Sequence, residues 1–198
     1  MKSVSQPIVF LFSVVLFACG SSRPLYKYQL ANVQRGDAMS DESRGISQPL
    51  VFENADFKII WSPGPLTYFF RIENKTKADL QINFDKSFLI SPAGNAFSAI
   101  HPGNSALAKG DDKAIIPTQV GIDTWVRPGQ KYGENHGGLV GSLSPGFDGG
   151  GFFPETGDAA DLKRDYVQKT ATVVLNIGRP GAAQNYRFKL QIADVVEQ

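Results

Sequence analysis

Large apolar side chains alternate with smaller or polar ones along several short segments of the chain. The clearest alternating sets are Phe57, Ile59, Trp61; Leu66, Tyr68, Phe70, Ile72; Leu80, Ile82, Phe84; Ala171, Val173, Leu175, Ile177; and Tyr186, Phe188, Leu190, Ile192. A spacing of two residues places every large side chain of a set on one face of an extended strand. The pattern therefore predicts β-strands that each bury one face.

Turn-forming residues separate these segments where hairpins need them. Ser62-Pro63-Gly64-Pro65 separates the first two sets, Asn74-Lys75-Thr76 lies between the next two, and Gly178-Arg179-Pro180-Gly181 precedes the last one. Further strands are expected over 25–33, 87–91 and 96–100, with a polar loop over 34–49 and one weak helical window over 159–167. Roughly eight to ten strands with so little helix predict an all-β fold, an antiparallel Ig-like β-sandwich, with a small β-barrel as the competing topology.

The segment 56–128 is similar to Ig-like domains of uncharacterised bacterial lipoproteins. The resemblance rests on Phe70-Arg71-Ile72-Glu73-Asn74-Lys75-Thr76 and on Ser87-Phe88-Leu89-Ile90-Ser91-Pro92-Ala93-Gly94. These are structural motifs of strands and turns, so the resemblance implies a fold and carries over no catalytic or ligand-binding residue.

The N-terminus has the three-part layout of an export signal. Lys2 is cationic, residues 8–17 form an apolar run broken by one serine, and the only cysteine of the chain, Cys19, follows. Such a run is too short to span a bilayer core of about 30 Å. Leu16-Phe17-Ala18-Cys19, followed by Gly20-Ser21-Ser22, resembles the lipobox of bacterial lipoproteins.

This resemblance implies cleavage before Cys19 and acylation of its thiol and new amino group. Residues 1–18 are then a lipoprotein signal peptide, residues 19–24 are the lipidated cysteine and a tether, and residues 25–198 are a single domain. The partner at Cys19 is the membrane, through acyl chains such as palmitate. The implied location is the bacterial cell envelope, and Gly20 in place of Asp implies the outer membrane of a two-membrane envelope. The alternatives are an ordinary secretory signal with a buried cysteine, or an uncleaved anchor.

Composition excludes several classes of function. Twenty Lys and Arg against nineteen Asp and Glu give a net charge of +1, without the cationic cluster that a nucleic-acid binder needs. One cysteine is too few for a disulfide framework, a cysteine zinc site or an iron–sulfur cluster. No nucleic-acid partner and no cofactor are expected.

No motif in the chain predicts catalysis or a metal site. His101 and His136 have no metal-ligating neighbours at the usual spacing, and both are interpreted as surface-loop residues. The segment 141–146 lacks the spacing of a nucleophile elbow. Asn74-Lys75-Thr76 formally matches a glycosylation acceptor, but a turn explains it better. The protein is therefore predicted not to be an enzyme.

A glycine-rich loop is predicted over residues 129–157, which contain ten of the twenty glycines. Phe147, Phe152 and Phe153 lie within it, and two interpretations are open. As a mobile loop it presents these phenylalanines to a partner protein or to lipid. As a packed loop it folds back over an open edge of the domain, and the same rings fill gaps in the core.

The resulting expectation is a non-catalytic, membrane-anchored envelope lipoprotein that binds another envelope protein through a strand edge or a loop. The alternative is a carrier or sensor of a small apolar ligand, held between the sheets or under the glycine-rich loop. An envelope hydrolase is the third possibility, and it requires a convergent polar cleft.

Overall fold

The structure is a computed structural model that describes residues 23–102, 112–131 and 151–197. These ranges contain twelve β-strands, a 3-10 turn at Ser43–Gly45 and one α-helix, α1 (Ala159–Tyr166). The strands are β1 (Pro24–Arg35), β2 (Ser40–Asp41), β3 (Ile46–Gln48), β4 (Val51–Glu53), β5 (Phe57–Pro63), β6 (Tyr68–Asn74), β7 (Leu80–Ile90), β8 (Ala96–Ile100), β9 (Lys113–Ile116), β10 (Gly121–Lys131), β11 (Thr170–Gly178) and β12 (Gln184–Glu197). The all-β prediction and the helix predicted over 159–167 are confirmed.

The strands form one continuous antiparallel sheet. Its order is β2-β1-β12-β11-β7-β8-β10-β6-β5-β4-β3, and β9 pairs with β7 outside this path. Strand β10 joins the two halves, because residues 121–126 pair with β6 whereas residues 127–131 pair with β8. The sheet curls at this shared strand, so the two halves pack against each other.

Aromatic rings fill the space between the halves. Phe188 of β12 lies 5.1 Å from Trp61 of β5 and 5.7 Å from Phe52 of β4, measured between ring centroids. Tyr186 packs edge-on against Phe57 at 4.9 Å. These rings are 4% exposed or less. Such pairs contribute about 0.5–1.5 kcal/mol each beyond the burial of their area.

The segment 42–50 bridges the two ends of the curled sheet. The Leu30 N–H of β1 donates to the Pro49 carbonyl, and the Trp61 N–H of β5 donates to the neighbouring Leu50 carbonyl at 2.8 Å. The predicted loop over 34–49 is therefore corrected, since it contains β2, the 3-10 turn and β3. The Leu30 N–H and the Val33 carbonyl of β1 form hydrogen bonds with this segment. Because these backbone groups already have partners, the β1 edge of the sheet is less open to pairing with another strand.

Asn74 holds the turn between β6 and β7 and is only 3% exposed. Its Nδ2 donates to the carbonyls of Ala78 at 2.8 Å and Ile116 at 2.9 Å. Its Oδ1 accepts from the backbone N–H and the hydroxyl of Thr76. The amide thus connects three chain segments, and the interpretation of Asn74-Lys75-Thr76 as a turn agrees with these contacts.

We expect Asn74→Ala to lower the free energy of unfolding by about 2–4 kcal/mol, because it leaves buried carbonyls and N–H groups without partners. Lys77→Ala, at an exposed position in the same turn, is the matched control and should change it by less than about 0.5 kcal/mol. Urea unfolding of the full chain measures both values. Equal effects of the two substitutions would show that the Asn74 bonds contribute no net stability.

Candidate functional site

Phe153, predicted as a possible partner contact, is part of the core and only 2% exposed. Its ring lies 5.7 Å from Tyr26, 6.1 Å from Tyr28 and 5.7 Å from Tyr166. The Tyr26 hydroxyl donates to the next carbonyl, that of Pro154, at 2.8 Å. The partner-contact interpretation is therefore corrected for Phe153, since the ring closes one end of the core.

Phe152 also faces inward and is half-buried. Its ring lies 5.3 Å from Phe97 and 6.3 Å from Tyr68. Gly151 immediately before it approaches the backbone of Pro65 so closely that an added Cβ would overlap the Pro65 carbonyl. The packed interpretation thus describes both Phe152 and Phe153, whereas Cys19 and Phe147 lie outside the described residues.

The outer face of β5, β6 and β10 carries a second candidate site. Strand register places its outward residues in cross-strand rows: Lys58, Glu73 and Gly121; Ile60, Arg71 and Asp123; Ser62, Phe69 and Trp125. The third row contains two aromatic side chains side by side in solvent-accessible positions. We call the second and third rows together the outer-face site.

Phe69 and Trp125 give this site an apolar surface. Phe69 is 50% exposed, which is high for a phenylalanine, and Trp125 is half-buried beside it. Both line a shallow pocket of about 360 Å³ together with Ile60, Ser62, Arg71 and Thr124. The Arg127 guanidinium lies 5.8 Å from the centre of the Trp125 ring, within the range of a cation–π contact.

Arg71 is held in a fixed orientation beside these rings. Its Nε lies 3.1 Å from Glu73 Oε1, and its Nη1 lies 3.0 Å from Asp123 Oδ2. The hydrogen bond to Glu73, with the charge of Asp123, raises the pKa of Arg71. Gly121 leaves room for the guanidinium, since a Cβ there would lie 2.7 Å from Nη2. Exposed pairs of this kind add little stability, but they position a hydrogen-bond donor.

One residue in the sequence indicates this site, although it breaks the alternating pattern that predicts the strand. In β6 the inward series is Tyr68, Phe70 and Ile72, so Phe69 is a large aromatic residue at an outward position. An out-of-phase aromatic residue marks an exposed apolar surface. Its partner Trp125 belongs to a strand far along the chain, and only the register of β6 and β10 brings the two together.

His101 is buried rather than on a surface loop, so that interpretation is wrong. The imidazole is 2% exposed and stacks on Phe84 with ring centres 4.0 Å apart and planes 9° apart. Its Nε2 lies 3.7 Å from Asp112 Oδ1. Burial lowers the pKa of His101, and the Asp112 carboxylate opposes this effect in part. His136 lies outside the described residues.

Two kinds of feature are not found among residues 23–102, 112–131 and 151–197. No three His, Cys, Asp or Glu side chains in these ranges come close enough together to hold a metal ion. The helical part of the same ranges is also too short to cross a bilayer.

We expect the free energy of unfolding to fall as the pH drops below about 6.5, the ordinary pKa of histidine. Because the pKa of His101 is lowered on folding, the unfolded chain binds more protons between the folded pKa and 6.5, and stability rises with pH there. The slope is at most about 1.4 kcal/mol per pH unit for one proton.

Urea unfolding of the full chain between about pH 5 and pH 7 measures this slope, and His101→Gln should reduce it. The carboxyl groups with lowered pKa values, Asp41, Glu53 and Asp194, start from 3.8 or 4.5 and act at lower pH. An unchanged slope in His101→Gln would assign the pH dependence to other groups.

Comparison with known proteins found no matching protein-family model, no matching curated protein and no matching solved structure.

Proposed function

We propose that this protein is a non-catalytic, membrane-anchored lipoprotein of the bacterial cell envelope, and that its β domain binds another envelope protein through the outer-face site. The observation that carries the binding proposal is the exposed pair Phe69 and Trp125 beside two arginines. Phe, Trp and Arg are enriched at the centres of protein interfaces, where charged residues are otherwise depleted.

The charges at the site favour a partner with particular chemistry. Arg71 is already paired with Glu73 and Asp123. Arg127 makes no ion pair with the described residues, and its Nε is buried without a hydrogen-bond acceptor among them. A partner surface that offers a carboxylate to Arg127 and an apolar side chain to Phe69 and Trp125 would complement both features.

The membrane anchor is supported by the sequence before β1. The lipobox-like residues 16–22 and the preceding apolar run support acylation of Cys19. Strand β1 begins at Pro24, five residues after Cys19. Five extended residues reach at most about 18 Å, so the proposed anchor would hold the domain close to the bilayer.

The finer fold assignment, an Ig-like β-sandwich, is also part of the proposal. Its support is that the β4–β5 layer packs face to face against β12 through Phe52, Trp61 and Phe188. The same rings occupy the space in which a carrier of an apolar ligand would hold its cargo. The described core therefore gives no support to the carrier alternative.

We expect Cys19→Ser to abolish incorporation of labelled palmitate and to release the protein from the membrane fraction, because both acylation sites belong to that residue. Ser22→Ala is the matched control and should retain label and sedimentation. Metabolic labelling and carbonate-washed membranes provide the two measurements. A Cys19→Ser protein that stays in washed membranes would contradict the lipid anchor.

We expect a photo-crosslinking residue at Ser62, next to Phe69 in the pocket, to give one discrete protein adduct in intact cells. Adding Phe69→Ala or Trp125→Ala to the same chain should reduce this adduct about tenfold or more, since interface aromatics often contribute 2 kcal/mol or more. Mass spectrometry identifies the adduct, and its yield is compared at equal expression.

A probe at Ile115, which is 53% exposed on β9, is the control for exposure alone. If the probe at Ser62 formed adducts with lipid but with no protein, the outer face would be a membrane contact. The same protein adduct at both positions, insensitive to Phe69→Ala, would contradict a specific outer-face site.

A further inference from the structure

A second pocket opens where the C-terminal end of β1 meets the hairpin between β11 and β12. Its volume is about 230 Å³, below the range of drug-sized sites. Phe57, Leu80 and Ile177 form its floor, and each is 2% exposed or less. The floor is thus apolar and part of the core, and the pocket is separate from the outer-face site.

The Tyr186 hydroxyl in this pocket has a proton to donate. Asn54 Nδ2 donates to it at 3.4 Å. An amide N–H group can only donate, so this bond uses a lone pair of the phenol oxygen. Burial raises the pKa of Tyr186, so its hydroxyl keeps its proton at neutral pH. None of the described residues accepts that proton.

The pocket rim carries one cation and one anion that are not paired. Arg35 is bound to Glu42 at 3.0 Å. Arg179 and Asp56 line the same pocket, yet neither forms an ion pair with any described residue, so their charged groups lie more than 4 Å apart. Together with the Arg35–Glu42 pair, these charges sum to zero, and Asp56 also acts on Arg35, whose pKa it helps to raise.

We propose that this pocket binds a small zwitterion, an α-amino acid with an apolar side chain. Its carboxylate would accept from the Tyr186 hydroxyl and face Arg179, and its ammonium group would face Asp56. Its side chain would cover the apolar floor. A neutral ligand with two separated charges matches a neutral rim with two separated charges, whereas a simple anion would face Asp56 unfavourably.

The test is isothermal titration calorimetry of the full-length protein with leucine, alanine and phenylalanine. These amino acids differ in the size of the side chain that would cover the floor of the pocket. Isocaproate, which lacks the ammonium group of leucine, and isoamylamine, which lacks its carboxylate, are the matched probes. At least one amino acid should bind, and for leucine each matched probe should bind at least about tenfold more weakly.

Substitutions in the pocket test which residue faces the carboxylate of the ligand and which faces its ammonium group. Arg179→Gln should lower the affinity for isocaproate, and for whichever amino acid binds, about 10- to 100-fold. The affinity for isoamylamine, which has no carboxylate, should stay unchanged. Asp56→Asn should lower the affinity for the amino acid and for isoamylamine, and it should leave the affinity for isocaproate unchanged. Both positions are exposed, so the fold is not at risk, and Arg44→Gln, at another exposed arginine, is the control.

Tyr186→Phe removes the hydroxyl, which is both the donor to the ligand and the acceptor for Asn54. It should weaken the binding of carboxylate-bearing ligands, with the circular dichroism spectrum as the check of folding. The proposal is overturned if none of the three amino acids binds. It is also overturned if isocaproate binds as tightly as leucine, or if Arg179→Gln and Asp56→Asn leave binding unchanged.

Discussion

The contact of Phe188 with Trp61 and Phe52 is the interaction on which the rest of the structure depends. A continuous sheet of this size exposes an entire apolar face unless it packs against something. Here the sheet packs against itself, because β10 pairs with β6 along one part of its length and with β8 along the other. The inner face is then filled by rings, so the surfaces that the described residues leave open to a partner are the outer surface and the ends.

The same packing determines what the outer surface displays. Phe70 is 3% exposed and points into the core, which forces its neighbours Phe69 and Arg71 to the outside. A register shift of one residue would exchange the two faces and bury Arg71, so the core strongly favours the observed register. The pair of Phe69 with Trp125 and the pair of Arg71 with Asp123 are consequences of that register.

Features that depend on local sequence were predictable, and features that depend on distant contacts were not. Alternation located β1, β5, β6, β8, β11 and β12, and the turn at Asn74 followed from its own neighbours. It did not locate β2, β3, β4, β9 and β10. It also divided the single strand β7 into two, and the glycine-rich loop predicted from residue 129 begins inside β10, which ends at Lys131. The burial of His101 on Phe84 depends on how β7 and the end of β8 meet, which no local pattern encodes. The glycine-rich stretch left Phe153 open to two interpretations, exposed or packed, because its partners Tyr26 and Tyr28 lie more than one hundred residues earlier.

The direction of β1 relates the two proposed sites to the proposed anchor. Twelve residues at about 3.3 Å each make β1 roughly 40 Å long, and its Pro24 end is the one that follows the proposed anchor in the sequence. The Tyr28 hydroxyl donates to the Gly64 carbonyl, which places the turn before β6, and hence Phe69, toward the Pro24 end of β1.

The pocket of Arg35 and Tyr186 lies at the other end of β1, because these two residues are cross-strand partners there. With Cys19 acylated, the outer-face site would meet proteins close to the bilayer, while the pocket would lie at the end of β1 farther from the anchor. A partner on Phe69 and Trp125 would then leave the pocket uncovered, so both sites could be occupied at once. Strand β5 connects them directly, since it contributes Phe57 to the pocket and Ser62 to the outer-face site.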